Sequence, residues 1–186
     1  DSRPRAIFLN SPHNPTGGVA TREDLKAIAD VVRGTGVMVF SDEPYCHMVW
    51  EGRHASILAE PGMFEHVVAA YTFSKSYSMS GWRLGFGVAS AAIIDLVGKM
   101  INTTLSCTPP LVQLAGLAAL EKDSSERDRT MLLFREKVML LVATAVTTQW
   151  LCTRLAGLPA FDSTSALITS TRALARPVRG ASSMLP

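Results

Sequence analysis

This sequence lacks charge of one sign. Lys and Arg number 18 against 16 Asp and Glu, a formal net charge of +2. No run of Lys or Arg forms a basic stripe, so a nucleic-acid partner is not expected. Cysteine is scarce: Cys46, Cys107 and Cys152 are odd in number and widely spaced. Without a Cys-x-x-Cys pair or a Cys/His cluster, neither a disulfide framework nor a zinc site is expected, and a reducing cytoplasm is the expected compartment. The chain opens Asp-Ser-Arg-Pro-Arg, with no apolar stretch of the secretory kind. Long hydrophobic runs are also lacking. The uncharged stretch 100–120 carries Asn102, Thr103, Thr104, Pro109 and Pro110, and 138–153 is diluted by Thr and Gln. Neither reads as a lipid-facing span, so no membrane partner is expected. Both read as buried segments of a soluble domain.

Apolar side chains are plentiful. Hydrophobic residues make up 47% of 186 positions and charged residues only 18%, which excludes a wholly disordered chain. Such a chain can bury roughly 70% of its unfolded surface. Residues 6–10 are a short apolar run that ends in Ser-Pro-His-Asn-Pro-Thr-Gly-Gly, the pattern of a buried strand entering a tight loop. Thr21 and Asp24 form a helix-capping pair, with Leu25, Ile28, Ala29 and Val32 at helical spacing and Gly34 and Gly36 closing the element. Residues 37–40 are the next buried strand. Strand, helix, strand at this distance is a βαβ unit, so the sheet is at least partly parallel. Further strands are expected at 67–73 and 85–89, then helices near 91–105, 110–122 and 125–148. Met38, Met48, Met79 and Met100 read as core fillers. The four histidines have no ligand spacing.

The composition shifts toward the end. Residues 163–186 are rich in Ser, Thr, Ala and Arg, with no acid and no Lys. Composition does not separate a disordered tail from a translation artefact there. The expected organisation is therefore a domain over 1–148 and an irregular or disordered tail over 149–186.

Polar residues gather just past the strand ends: Asn14, then Asp42 and Tyr45, then Thr72, Ser74 and Lys75. In an open α/β sheet, ligands bind outside the carboxyl ends of strands. Lys75 lies among small residues with no adjacent acid, a setting in which a lysine can be desolvated and its amine held neutral. A neutral lysine amine condenses with carbonyl compounds.

Four blocks now matter together: Asn-Ser-Pro-His-Asn-Pro-Thr-Gly at 10–17, Ser-Asp-Glu-Pro-Tyr at 41–45, Thr-Phe-Ser-Lys at 72–75, and Ser-Gly-Trp-Arg-Leu-Gly at 80–85. In this order and spacing they resemble the class I/II aminotransferases, fold-type I enzymes that use pyridoxal 5′-phosphate (PLP). The resemblance covers roughly residues 5–143. It implies an α/β fold with a mostly parallel sheet and flanking helices, part of a three-layer αβα PLP-transferase large domain. It further implies transfer of an amino group between an amino acid and a 2-oxo acid, and a cytoplasmic homodimer for the complete protein. By the same resemblance Lys75 carries the cofactor and moves the substrate proton. Asp42 pairs with the pyridine nitrogen, and Tyr45 and Asn14 hydrogen-bond the phenolic oxygen. Arg83, with Thr72 and Ser74, grips the phosphate. No metal is implied. Glu43 is expected to point away from Asp42, because successive strand side chains alternate faces, and Glu43→Gln is expected to be mild.

The family is longer than this chain. Its upstream phosphate loop, its ring-stacking aromatic and its substrate-carboxylate arginine have no counterpart in the recognised motifs, and Arg154, Arg172, Arg176 and Arg179 receive no such role. Two alternatives stand beside transamination. One is another PLP reaction of the same fold, of the C–S lyase or aminocyclopropane-carboxylate synthase type. The other is a non-catalytic PLP-binding remnant.

Overall fold

The computed structural model describes residues 3–155; the tail expectation from residue 156 onward lies outside them. The described chain falls into two compact units, divided after Met131, so the expected boundary after residue 148 falls inside a helix.

In the first unit, β1 (Ala6–Asn10), β2 (Met38–Asp42), β3 (Val67–Thr72) and β4 (Gly85–Val88) form a four-stranded sheet in the order β1-β2-β3-β4. β1–β2 and β2–β3 are parallel, while β3–β4 is antiparallel. The sequence explains the difference. The helix α1 (Arg22–Val32) supplies the long crossover that a parallel pair needs. The connection between β3 and β4 holds only turns and one short 3-10 helix, Ser80–Trp82, and it reverses the chain.

The start of α1 is set locally. Thr21 Oγ1 accepts from the Asp24 N–H, and the Asp24 carboxylate accepts from the Thr21 N–H, so each caps the other. Leu25, Ala29 and Val32 of α1 are buried against Val39, Val67 and Ala69 of the sheet, with Ile57 and Met63 completing the core. Alternation sends Phe8 and Phe40 to the opposite face. Their rings stack at 5.1 Å, and Phe8 is 82% exposed.

After β4 come α2 (Ala91–Thr104) and α3 (Pro110–Lys122). Gly116 of α3 meets Leu84 and Phe73. α4 (Ser124–Leu155) begins in the first unit and continues into the second. The expectation that 100–120 is buried fails, because Met100, Leu105, Leu111 and Leu114 are exposed. In the second unit Leu140 and Leu141 are exposed as well. Helical spacing identifies an apolar stripe, but burial needs a surface to cover it, and none of the described residues provides one. Met100 is thus no core filler.

Candidate active site

The strand ends bring the polar residues together. β1 and β2 are paired so that Asn10 lies opposite Asp42. Asn10 Nδ2 donates to Asp42 Oδ2 at 3.0 Å and to the Asp42 carbonyl at 3.1 Å. The Asn14 N–H donates back to Asn10 Oδ1 at 3.3 Å. Asn14 Nδ2 then donates to the Tyr45 hydroxyl at 3.2 Å. Lys75 Nζ lies 5.6 Å from the centre of the Tyr45 ring. Asn14, Asp42, Tyr45 and Lys75 thus meet at the carboxyl edge of the sheet, with Asn10 tying two of them together.

Lys75 itself is exposed, so the expected desolvation of its amine is not met. Phe73 and Ser76 on either side are buried, and the turn between them turns Lys75 outward. That turn is held from behind. The Met79 N–H donates to the Phe73 carbonyl at 3.1 Å. Arg127 Nη1 donates to the Tyr77 hydroxyl at 3.1 Å, and its guanidinium stands 5.6 Å from the centre of the same ring. His47 meets Tyr77 edge-on at 6.2 Å. Burial, helped by the nearby Arg127 charge, keeps the His47 pKa below its usual value.

The residues expected at a phosphate are less closely joined. The Ser74 N–H donates to Thr72 Oγ1 at 3.1 Å, and Thr72 Oγ1 reaches the Leu84 carbonyl at 3.5 Å. The residue after Arg83 is therefore held against the end of β3. Arg83 has φ 51°, a left-handed backbone that non-glycine residues seldom adopt, and its Nη1 bonds the Ser80 carbonyl at 3.1 Å. Thr72 and Ser74 are bonded to each other, while the guanidinium bonds the Ser80 carbonyl instead.

Beneath Asp42, Glu43 faces the other way, as alternation requires. It is only 1% exposed. Its Oε1 accepts from Ser41 Oγ at 2.7 Å and Ser56 Oγ at 2.6 Å, and its Oε2 from His54 Nε2 at 2.7 Å and the Tyr71 hydroxyl at 3.0 Å. Burial raises the Glu43 pKa, but these donors outweigh it and leave the carboxyl below its ordinary value. Tyr71 is pushed up to about 12, by burial first and then by the Glu43 charge. A carboxylate with this many buried donors holds the fold, so Glu43→Gln, expected to be mild toward activity, carries a cost in stability.

The sequence pattern assigns no partner to Asn10, Glu43, His54, Tyr77 or Arg127. Asn10 and Glu43 stood inside quoted blocks, so their place was visible. His54 was judged only for metal spacing, and no metal-binding cluster occurs among the described residues. Arg127 sits 50 positions from Tyr77, and no local pattern announces that contact.

Two apolar grooves lie elsewhere in this unit. One, of about 450 Å³, is lined by Phe73, Leu84, Phe86, Ile101 and Leu117. The other, of about 650 Å³, is lined by Ile7, Val31, Val32 and Val37. Asp42, Tyr45 and Lys75 line neither of these two grooves.

The donor set suits PLP. A carboxylate pairs with a ring N–H, an amide and a phenol with a phenolate, an amine with an aldehyde, and an arginine with hydroxyls binds a phosphate. Comparison with known proteins agrees. The family profile "Aminotransferase class I and II" matches residues 1–172, past the residue-143 limit of the motif likeness. An aspartate aminotransferase of Thermotoga maritima is 36% identical over 138 residues, which are 74% of this chain and 36% of that protein. One from Pyrococcus abyssi is 38% identical over 122 residues, 65% of this chain and 31% of that protein. Among solved structures, an aromatic aminotransferase from Pyrococcus horikoshii matches with TM-score 0.71 and 37% identity, over 77% of this chain and 39% of that one. The chain spans about a third of the length of the curated relatives it matches.

Proposed function

Because the chain belongs to the class I and II aminotransferases, we propose that it is part of the PLP-binding domain of an enzyme that moves an amino group between an amino acid and a 2-oxo acid. The observation that carries the reading is the linked set at the strand ends: Asn10 to Asp42, Asn14 to Tyr45, and Lys75 beside Tyr45. Lys75 holds the cofactor's aldehyde carbon. Asp42 holds the pyridine nitrogen, and Asn14 and Tyr45 hold the phenolic oxygen. Arg83, Thr72 and Ser74 hold the phosphate. When bound, PLP supplies an electron sink for negative charge at the amino acid's Cα. Asp42 keeps a negative charge against the ring nitrogen, which sustains that sink. Lys75 Nζ, once the substrate amine has taken its place, carries the proton to and from the substrate. Its exposed position leaves it free to move. By family likeness alone, we extend the reading to a cytoplasmic homodimer with a biosynthetic role in amino acid metabolism for the complete protein.

The test is chemical. Incubate the protein with PLP, reduce with borohydride and map the pyridoxyl group. The label is expected on Lys75. A label on Lys99, Lys122 or Lys137 instead overturns the assignment.

A further inference from the structure

We propose that Asn10 is a positioning residue that fixes the Asp42 carboxylate and couples it to Asn14; the inference rests on the function proposed above. One amide does both tasks. Its Nδ2 has two acceptors, Asp42 Oδ2 at 3.0 Å and the Asp42 carbonyl at 3.1 Å, while its Oδ1 accepts from the Asn14 N–H at 3.3 Å. Only an NH2 group can face a carboxylate and a carbonyl, and only an oxygen can face an N–H. A flipped amide would lose all of these bonds, so the orientation is determined by chemistry.

No other hydrogen bond reaches the Asp42 carboxylate among the described residues. Asn10 therefore sets which oxygen is turned inward and leaves Oδ1 for a ligand. Register makes the contact possible. Asn10 is the last residue of β1 and lies opposite Asp42, the last residue of β2. From Asn14 the connection continues to the Tyr45 hydroxyl. A single side chain thus links the group expected at the ring nitrogen with the groups expected at the phenolic oxygen. A hydrogen bond to a charged acceptor is among the stronger ones in proteins, and a misplaced partner is costly when the reacting geometry is narrow.

The experiment uses the complete protein and three variants. Asn10→Ala removes the donor. Asn10→Asp keeps the shape and the acceptor for Asn14 but turns an oxygen on Asp42. Asp42→Ala removes the group being positioned. Asn10→Ala is expected to lower kcat about 10- to 100-fold with little change in the amino acid KM. Asn10→Asp is expected to lose at least as much. In the Asp42→Ala background, Asn10→Ala should add less than about twofold, because its partner is already gone. Crystal structures without cofactor give a readout independent of activity: in Asn10→Ala the Asp42 carboxylate should leave its present rotamer. Full additivity of the two alanine changes, wild-type kcat in Asn10→Asp, or an unmoved carboxylate would each overturn the inference. A wild-type protein that takes no pyridoxyl label on Lys75 overturns the cofactor reading and this inference with it. A labelled wild type with a fully active Asn10→Asp overturns the inference alone.

Discussion

Glu43 is the residue on which three segments converge. Ser41 belongs to β2, Tyr71 to β3, and His54 and Ser56 to the connection that follows the site. Glu43→Gln keeps the volume but turns an NH2 group toward two buried donors. Each donor left without an acceptor costs about 1–3 kcal/mol, a large part of the few kcal/mol by which domains are stable. A clear fall in the urea midpoint is expected, with the Asp42 side chain untouched; an unchanged midpoint would show that the donors find other acceptors. The pH dependence follows from the lowered Glu43 pKa. A carboxyl lowered in the folded state contributes its stability above its unfolded pKa and loses it as pH falls through the folded value. The contribution is therefore complete above the ordinary glutamate range and fades in acid. Glu43→Gln should flatten the acid limb of the stability profile relative to wild type, measured by unfolding from pH 3 to 7, on the order of the range where carboxylates titrate.

At the scale of elements, β4 is tied to β3 by a close approach. A Cβ added at Gly85 would sit 2.6 Å from the Tyr71 carbonyl oxygen, a backbone atom with nowhere to go. At Gly116 of α3 the nearest atom is the end of the Leu84 side chain, which can rotate away. Gly85→Ala is therefore expected to cost more than Gly116→Ala, about 1–3 kcal/mol for an overpacked site. Equal midpoints in thermal unfolding would count against this. The same elements mark what a sequence makes legible. The strands were readable because the β2 and β3 runs are nearly continuous in apolar residues, as buried parallel strands are. α1 was readable because Thr21 and Asp24 are near neighbours in the chain. The exposure of Leu111 and Leu114 was not, since helical periodicity is the same whether a stripe is covered or bare. Asp42, Tyr45 and Lys75 were found through motif spacing. Asn10 as a partner was not, because its role depends on a strand register that joins residues 32 positions apart.

At the scale of the whole molecule, the chain carries the carboxyl edge of a sheet but spans about a third of its relatives' length. A polypeptide of these 186 residues, given PLP and an amino donor, is expected to release no keto acid at a rate approaching that of a complete relative. The open face bearing Phe8 and Phe40 points the same way, since apolar surface of that kind is usually covered in a working domain. Turnover comparable to a complete relative would refute the expectation and place the missing groups within this chain.

The register of β1 on β2 also imposes an order in time. A ribosome releases Asn10 and Asn14 first, then Asp42 and Tyr45, and Lys75 last of the set. At about 5–20 residues per second, the lysine follows Asn10 by on the order of 3–13 s. A parallel pair joined by a helix forms more slowly than a hairpin, on the order of milliseconds to a second, which is still shorter, so β1 and β2 can be registered before the lysine emerges. The aldehyde-binding group can thus emerge onto an edge where Asn10, Asn14, Asp42 and Tyr45 are already placed.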